Sequence, residues 1–217
     1  MNEQERITRI RVVYTKGHLL RFTGHLDMQR LWERLLRRSG LPVRYSQGYH
    51  PRARLNLASA LPLGFISDSE LLDFWMNEPR PLGEVQARLA AAAPPSMAIL
   101  SAVTVPLSED SLQSRMQASD FEVAFFDPQN LEELQRKIQT LLSAEQIIRL
   151  RRKKTYDLRP LIIDLHTKLI QDDEPGLTMH LLAEPGATGR PDEVLEELGF
   201  ANTQYLVRRT SVLINPG

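Results

Sequence analysis

The 217-residue chain is 42% hydrophobic and 25% charged, enough apolar side chain for an ordinary globular core, and its 27 Lys and Arg balance 27 Asp and Glu. It contains no cysteine, which excludes disulfides, thiol chemistry, Cys-ligated zinc and Cys-ligated iron–sulfur clusters. It has no apolar run near the ~18 residues of a membrane span, and its first six residues are polar with no apolar signal core behind them; these features fit a cytoplasmic protein with no cofactor of its own and no membrane partner.

Ile7–Val13 alternates apolar and polar residues and predicts a first strand, which a turn at Lys16-Gly17 can extend to Phe22. Thr23 or Gly24 caps a helix that runs to Ser39 and stops at Gly40. A short strand over Val43–Ser46 and a loop over 47–54 follow, then a strand over Glu70–Met76. Leu82–Ala93 predicts a helix ended by Pro94-Pro95, and Ile99–Val105 a strand. The order β-α-β-β-α-β then restarts. Phe121–Phe126 is a strand, Asp127 and Pro128 open a helix to Ser143, and Ile147–Arg151 is a strand. Leu161–Leu169 and Leu177–Leu182 form a hairpin, Pro191–Leu198 a helix ended by Gly199, and Tyr205–Ile214 the last strand. The fold class expected is α+β, as two tandem ferredoxin-like (βαββαβ) units with antiparallel sheets, the second with one extra strand. The units are residues 1–106 and 119–217, divided in the polar stretch 106–119, and the repeat is one of pattern, not of residues.

Charge is unevenly placed. Residues 28–67 hold Arg30, Arg34, Arg37, Arg38, Arg44, Arg52 and Arg54 against one acid, Glu33. Arg149, Arg151, Arg152, Lys153 and Lys154 form a second basic run, continued by Arg159, while residues 170–197 carry eight acids against Arg190. A neutral total can therefore hide a basic and an acidic face. On the first helix, Met28, Leu31, Trp32, Leu35 and Leu36 share one side and Arg30, Arg34, Arg37 and Arg38 the other. That second side is either a solvated face or a basic stripe for phosphate. The segment Arg44-Tyr45-Ser46-Gln47-Gly48-Tyr49-His50-Pro51-Arg52-Ala53-Arg54 pairs guanidinium groups with flat rings, which suits unpaired bases and phosphates. The same loop could instead fold its tyrosines back onto the sheet. Arg149, Arg151 and Lys153 would share one face of a strand, either as a second binding surface or as a charge-protected edge.

Catalytic signals are thin. His18, His25, His50, His166 and His180 lack metal-ligand spacing, and there is no Gly-rich phosphate loop or nucleophile elbow. His25 and Asp27 fall on different sides of the first helical turn, so Asp27 reads as a carboxylate favoured by the helix dipole. His25 and His50 are the only acid–base candidates.

The string Leu20-Arg21-Phe22-Thr23-Gly24-His25-Leu26-Asp27, Arg34-Leu35-Leu36-Arg37-Arg38-Ser39-Gly40-Leu41-Pro42, Tyr45-Ser46-Gln47-Gly48-Tyr49-His50-Pro51-Arg52, Leu61-Pro62-Leu63-Gly64, Asp157-Leu158-Arg159-Pro160 and Arg190-Pro191-Asp192 resembles the radical SAM-linked protein family. That family is a bacterial domain of unknown function encoded beside, or fused to, a radical SAM protein. The resemblance implies a radical SAM partner, often cobalamin-binding, and supplies no reaction. More loosely, the layout is similar to the tandem ferredoxin-like RNA endonucleases that process CRISPR repeats. Their C-terminal Gly-rich loop is missing, since the chain ends in Val207-Arg208-Arg209-Thr210-Ser211-Val212. A pseudouridine synthase reading of Leu26-Asp27 is weaker, because the surrounding motif does not match.

The function expected is that of a non-catalytic accessory protein of a radical SAM enzyme, binding structured RNA such as tRNA or rRNA, or the partner itself. Its contact residues would be Arg37, Arg38, Arg44, Tyr45, Gln47, Tyr49, His50, Arg52, Arg54, Arg151, Lys153, Lys154 and Arg159. The loop is expected to line a concave surface, bordered by Arg37 and Arg38 and completed by the run 149–159. The alternative is a stand-alone RNA-processing or RNA-modifying enzyme using His25 or His50. A third reading is a protein-interaction module whose acidic segment docks a basic partner.

Overall fold

In the computed structural model, which describes residues 7–151, 153–170 and 173–215, every strand pairing within the units is antiparallel. Residues 1–6, Arg152 of the basic run and Asp172 of the acidic segment lie outside the described residues. The fold is α+β with five helices among the described residues, and none of these is long and apolar enough to cross a membrane. The chain divides between Arg115 and Met116, with Asn215 belonging to the first unit.

In the first unit, β1 (Thr8–Lys16) pairs with both β3 (Ile66–Met76) and β4 (Ile99–Val105), and β2 (Leu55–Leu57) pairs with β3. The strand order is therefore β4-β1-β3-β2. α1 (His25–Ser39) begins after an extended Gly24 and ends at Gly40, whose φ of 66° is the left-handed conformation that terminates helices. Its buried residues Met28, Trp32, Leu35, Leu36 and Ser39 follow the helical repeat. They pack with Val85 and Leu89 of α2 (Leu82–Ala92) on Ile10, Val12 and Tyr14 of β1 and Leu72, Phe74 and Met76 of β3. Alternation along β1 sends Arg9 and Arg11 to the opposite face of the sheet. There they are buried against Asp73 of β3 and covered by the segment leading into α3 (Leu112–Arg115).

Three expectations for this unit need correction. β1 stops at Lys16 and is followed by a single 3-10 turn over His18–Leu20, so it does not return to Phe22. The second strand lies at 55–57; Val43 and Tyr45 make only isolated bridges, to Met76 and Ala53. A three-residue strand is shorter than one clear period of alternation, which hides it in the sequence. β3 begins at Ile66, because Ser67 pairs with Lys16 despite the polar start.

In the second unit, β5 (Met116–Phe125) pairs with β11 (Tyr205–Ile214) and β9 (Pro175–Glu184), and β9 pairs with β8 (Ile162–Leu169). The order is β11-β5-β9-β8, with β10 (Ala187–Thr188) folded back on the end of β9. α4 (Leu131–Ser143) opens later than predicted, because Asn130 is the cap: its side chain accepts from the Glu133 N–H at 2.9 Å. β6 (Ile148–Arg151) pairs with β7 (Lys154–Asp157), a strand that the charged run concealed, in a separate hairpin whose inner arginines reach α5 (Pro191–Glu197).

Candidate nucleic-acid interface

Residues 44–54 form a two-armed finger rooted on Trp75 of β3. The Arg44 N–H donates to the Trp75 carbonyl at 2.7 Å, and the Trp75 N–H to the Arg54 carbonyl at 3.2 Å. Between the arms, the Arg54 N–H donates to the Arg44 carbonyl and the Ser46 N–H to the Arg52 carbonyl, both at 2.8 Å. The Arg52 N–H is taken by the Ser46 hydroxyl at 3.0 Å. Ala53, facing Tyr45 across the arms, is buried and anchors the returning arm. The Arg54 guanidinium lies 4.4 Å from the centre of the Trp75 ring, a cation–π contact, and Arg9 lies 5.2 Å from the same ring.

The tip, 47–51, carries its rings outward. Tyr49 is 100% exposed and Tyr45 43%. His50 meets Tyr49 edge to face, with ring centres 6.1 Å apart. Gln47, His50, Arg52 and Arg54 are exposed and Arg44 is half-buried. Gly48 sits at φ 150° with open space where a side chain would stand, so backbone is bare at the tip. No acidic residue occurs from Arg34 to Ser67. The segment thus projects and does not wall a concavity, which corrects that expectation: the arms bond to each other and leave no chain to close a bowl.

Trp75, which no motif in the sequence marks, holds the finger by both its backbone groups and its ring. Its run Asp73-Phe74-Trp75-Met76 looks like plain core strand, and only alternation marks Trp75 as facing away from the helices.

Other predicted contact residues are engaged elsewhere. Arg37 is exposed on α1, but Arg38 donates to the Ala92 carbonyl at 2.7 Å, capping α2, while Arg88 of α2 donates to the Gly40 carbonyl at 3.3 Å. Each helix end is therefore neutralised by an arginine of the other. In the second unit, Arg149 binds Glu196 and Glu197, and Arg151 binds Glu193, with Nε at 2.7 Å from Oε1. Arg151 also stacks on Tyr156, whose hydroxyl donates to Glu193. Arg159 donates to the Leu142 carbonyl at 3.1 Å and the Ile162 carbonyl at 3.2 Å. Of this run, Lys153, at a turn with φ 67°, and Lys154 are exposed. Arg149 and Arg151 of the basic run are thus paired with Glu193, Glu196 and Glu197 of the acidic segment, and Asp192 is taken by Arg190 at 2.7 Å. Arg151 and Arg159 are therefore engaged within their own unit, as are Asp192, Glu193, Glu196 and Glu197 of the acidic segment.

The charge balance shifts the groups involved. Burial works to lower the Arg149 pKa, but hydrogen bonds to Glu196 and Glu197 raise it above its ordinary value. Burial would raise the Glu193 carboxyl, and the donors Arg151 and Tyr156 more than reverse this, holding it below 4.5. A carboxylate with a depressed folded pKa adds stability above its unfolded pKa and loses it as pH falls through the folded one. Acid titration of the folded protein should therefore show this hairpin loosening only at pH below the ordinary carboxylate range. Glu193→Gln should remove that acid step and cost about 1.5–3 kcal/mol at neutral pH, measured by urea unfolding. An unchanged acid limb would show that the cluster does not govern it.

His25 is exposed at the start of α1, beside a cavity of about 20 Å³, room for roughly one water. Tyr14, Lys16 and Glu70, all buried, line that cavity with Ser59. His50 stands at the finger tip, and no hydrogen bond or ring contact joins it to His25 among the described residues. No group of His, Asp and Glu able to hold a metal ion occurs among the described residues.

A family model described as an uncharacterized protein conserved in bacteria (DUF2344) matches residues 9–191. No curated protein matches the chain. Among solved structures, the chain is similar to one in the crystal structure of a Cbf5-Nop10-Gar1 complex, at 9% identity and TM-score 0.49, covering 98% of this chain and 51% of that one. It is also similar to one in the structure of an H/ACA RNP bound to a substrate RNA containing 2′-deoxyuridine, at 8% identity and TM-score 0.46, covering 94% and 47%. The chain spans about half the length of both, and likenesses this distant carry no functional argument.

Proposed function

The chain belongs to the bacterial family described as uncharacterized proteins conserved in bacteria (DUF2344), and we propose that it is a non-catalytic accessory protein that binds structured RNA through the finger at 44–54. One observation carries this reading: a firmly rooted projection bears two exposed tyrosines, a histidine and arginines with no acid in the surrounding sequence. Tyrosine supplies a flat face and arginine a planar set of donors matched to phosphate. The motif string shared with radical SAM-linked proteins supports a radical SAM enzyme as the partner served. The strand orders β4-β1-β3-β2 and β11-β5-β9-β8, the first on a β-α-β-β-α-β chain and the second on the same order with the β6-β7 hairpin and β10 inserted, support a tandem ferredoxin-like architecture. The cysteine-free composition fits a cytoplasmic setting.

The test is equilibrium binding of the purified chain to total tRNA and rRNA fragments across a salt series. Affinity should fall steeply with salt, as phosphate contacts release counterions. Arg52→Ala should weaken it by about 1–2 kcal/mol. A salt-independent affinity, or none, would overturn the reading. Co-expression with a radical SAM protein of the kind the resemblance implies tests the partner, and no complex at micromolar protein counts against it.

A second reading, a stand-alone RNA-processing enzyme, draws on the position of His25 beside the buried Lys16 and Glu70. Cleavage or modification of RNA by the purified chain that is lost in His25→Ala would favour it. Product that survives both His25→Ala and His50→Ala would remove these residues from consideration.

A further inference from the structure

We infer that the finger recognises unpaired nucleotides, by stacking a base on Tyr49, and not the surface of a duplex. This rests on the reading of the finger as an RNA-binding site and names the state of the RNA it takes.

The Tyr49 ring is wholly in solvent, so the chain leaves it open to a ligand, with His50 at an angle to it and ring centres 6.1 Å apart. The ring is nevertheless presented on a stiff support. Backbone bonds tie both arms to Trp75 and to each other, and the Ser46 hydroxyl holds the Arg52 N–H. Much of the ordering cost of a loop is thereby met before any ligand arrives. A base offers its face to such a ring only when it is unstacked; in an A-form helix the faces are occupied, the major groove is too deep and narrow for side chains, and the shallow minor groove shows only base edges and 2′-hydroxyls. Arg52, on the returning arm three residues beyond Tyr49, is exposed and free of any acidic neighbour in sequence, so a guanidinium suited to phosphate is available on the same finger as the stacking ring. Gly48 leaves the backbone bare between the rings, where a strand can approach closely. A solvated decorative loop would need none of this: its rings would fold back or its tip would be polar throughout.

The experiment measures fluorescence anisotropy of the full chain with a short labelled oligoribonucleotide that cannot pair with itself, and with the same strand annealed to its complement. A deoxyribo strand of the same sequence is run beside them. The single strand should bind roughly tenfold or more tightly than the duplex. Tyr49→Ala should weaken the single strand by about 5- to 150-fold, with Tyr49→Phe close to wild type, because the ring and not the hydroxyl stacks. Since Tyr49 is fully exposed, these variants should fold as wild type. Equal binding of single strand and duplex, or an unaltered Tyr49→Ala, with Arg52→Ala still weakened, overturns this inference and leaves RNA binding standing. Binding to the deoxyribo strand alone overturns the RNA reading and keeps stacking. Binding to none of the probes overturns both.

Discussion

Asp73→Ala is expected to destabilise the first unit by about 3–5 kcal/mol, measured by urea unfolding. Asp73 is completely buried and accepts from Arg9 Nε at 2.9 Å, Arg9 NH2 at 2.6 Å, Arg11 Nε at 2.9 Å and Arg11 NH2 at 3.0 Å. Arg115 joins the same cluster, and the remaining acid is Glu109, which contacts both Arg11 and Arg115. Burial, with Arg11 and Arg9 close by, already pushes the Arg115 pKa down, so positive charge is in surplus there. Removing Asp73 would leave three buried guanidinium groups facing one carboxylate. The cluster also ties down irregular chain: Arg9 NH2 donates to the Asp110 carbonyl at 2.8 Å, and Arg115 Nε to the Asn215 carbonyl at 3.1 Å. Hydrogen exchange over 106–115 should therefore accelerate in Asp73→Ala before the core opens. An Arg9→Leu/Asp73→Leu pair should recover part of the loss, since an apolar replacement leaves one fewer uncompensated charge. A cost below about 1 kcal/mol for Asp73→Ala would show that the surplus arginines find water, and that the cluster is not the staple described.

Trp32→Ala is expected to cost about 3–5 kcal/mol by the same measurement. Trp32 is fully buried at the centre of the α1 packing face and meets Tyr14 edge to face, with ring centres 4.8 Å apart. Its removal leaves a cavity between α1 and β1 that Leu35 and Leu36, already fully buried, cannot fill without moving the helix. Trp32→Phe should cost much less, under about 1.5 kcal/mol. The indole N–H finds no acceptor among the described residues, so its loss strands no partner. Similar costs for the two substitutions would mean that the indole itself, and not the ring volume, holds the helix. The effect should reach the finger, because α1 leads directly into it: the Asn77 N–H holds the Pro42 carbonyl at 2.8 Å, just after Gly40 ends the helix. If the finger binds RNA as proposed, that affinity would fall in Trp32→Ala through loss of this root, which is why the exposed Tyr49 and Arg52, and not core residues, test recognition.

Much of the fold was legible from local signals. The helical spacing of Met28, Trp32, Leu35 and Leu36, closed by Gly40, marked α1, and the β-branched and apolar residues at 99–105 and 205–214 marked β4 and β11. These signals act over one or two turns of chain, so a single sequence carries them whole. The concentration of arginine and tyrosine at 44–54 was equally plain, since it depends on composition alone.

What the tertiary structure alone decided is how charges were spent and which way the loop faced. Arg149, Arg151 and Lys153 looked like one basic face, but Arg151 meets Glu193 across 42 residues of sequence and Arg149 meets Glu196 across 47. Arg38 likewise reaches the Ala92 carbonyl across 54 residues. Arg9 and Arg11, which alternate with apolar neighbours as solvent-facing residues would, are buried on Asp73 across 64 and 62 residues. The finger projects because Trp75 supplies backbone partners to both of its arms, a pairing with no local trace. Coulomb attraction and hydrogen bonding act across space, so a charge's partner is set by which distant segments the sheet brings together. The sequence by itself therefore determined which residues could bind a phosphate or stack on a base. The fold determined which of them remain at the surface to do so: the finger at 44–54 with Arg37, Lys153 and Lys154, while Arg149 and Arg151 of the second basic run are paired with acids of their own unit.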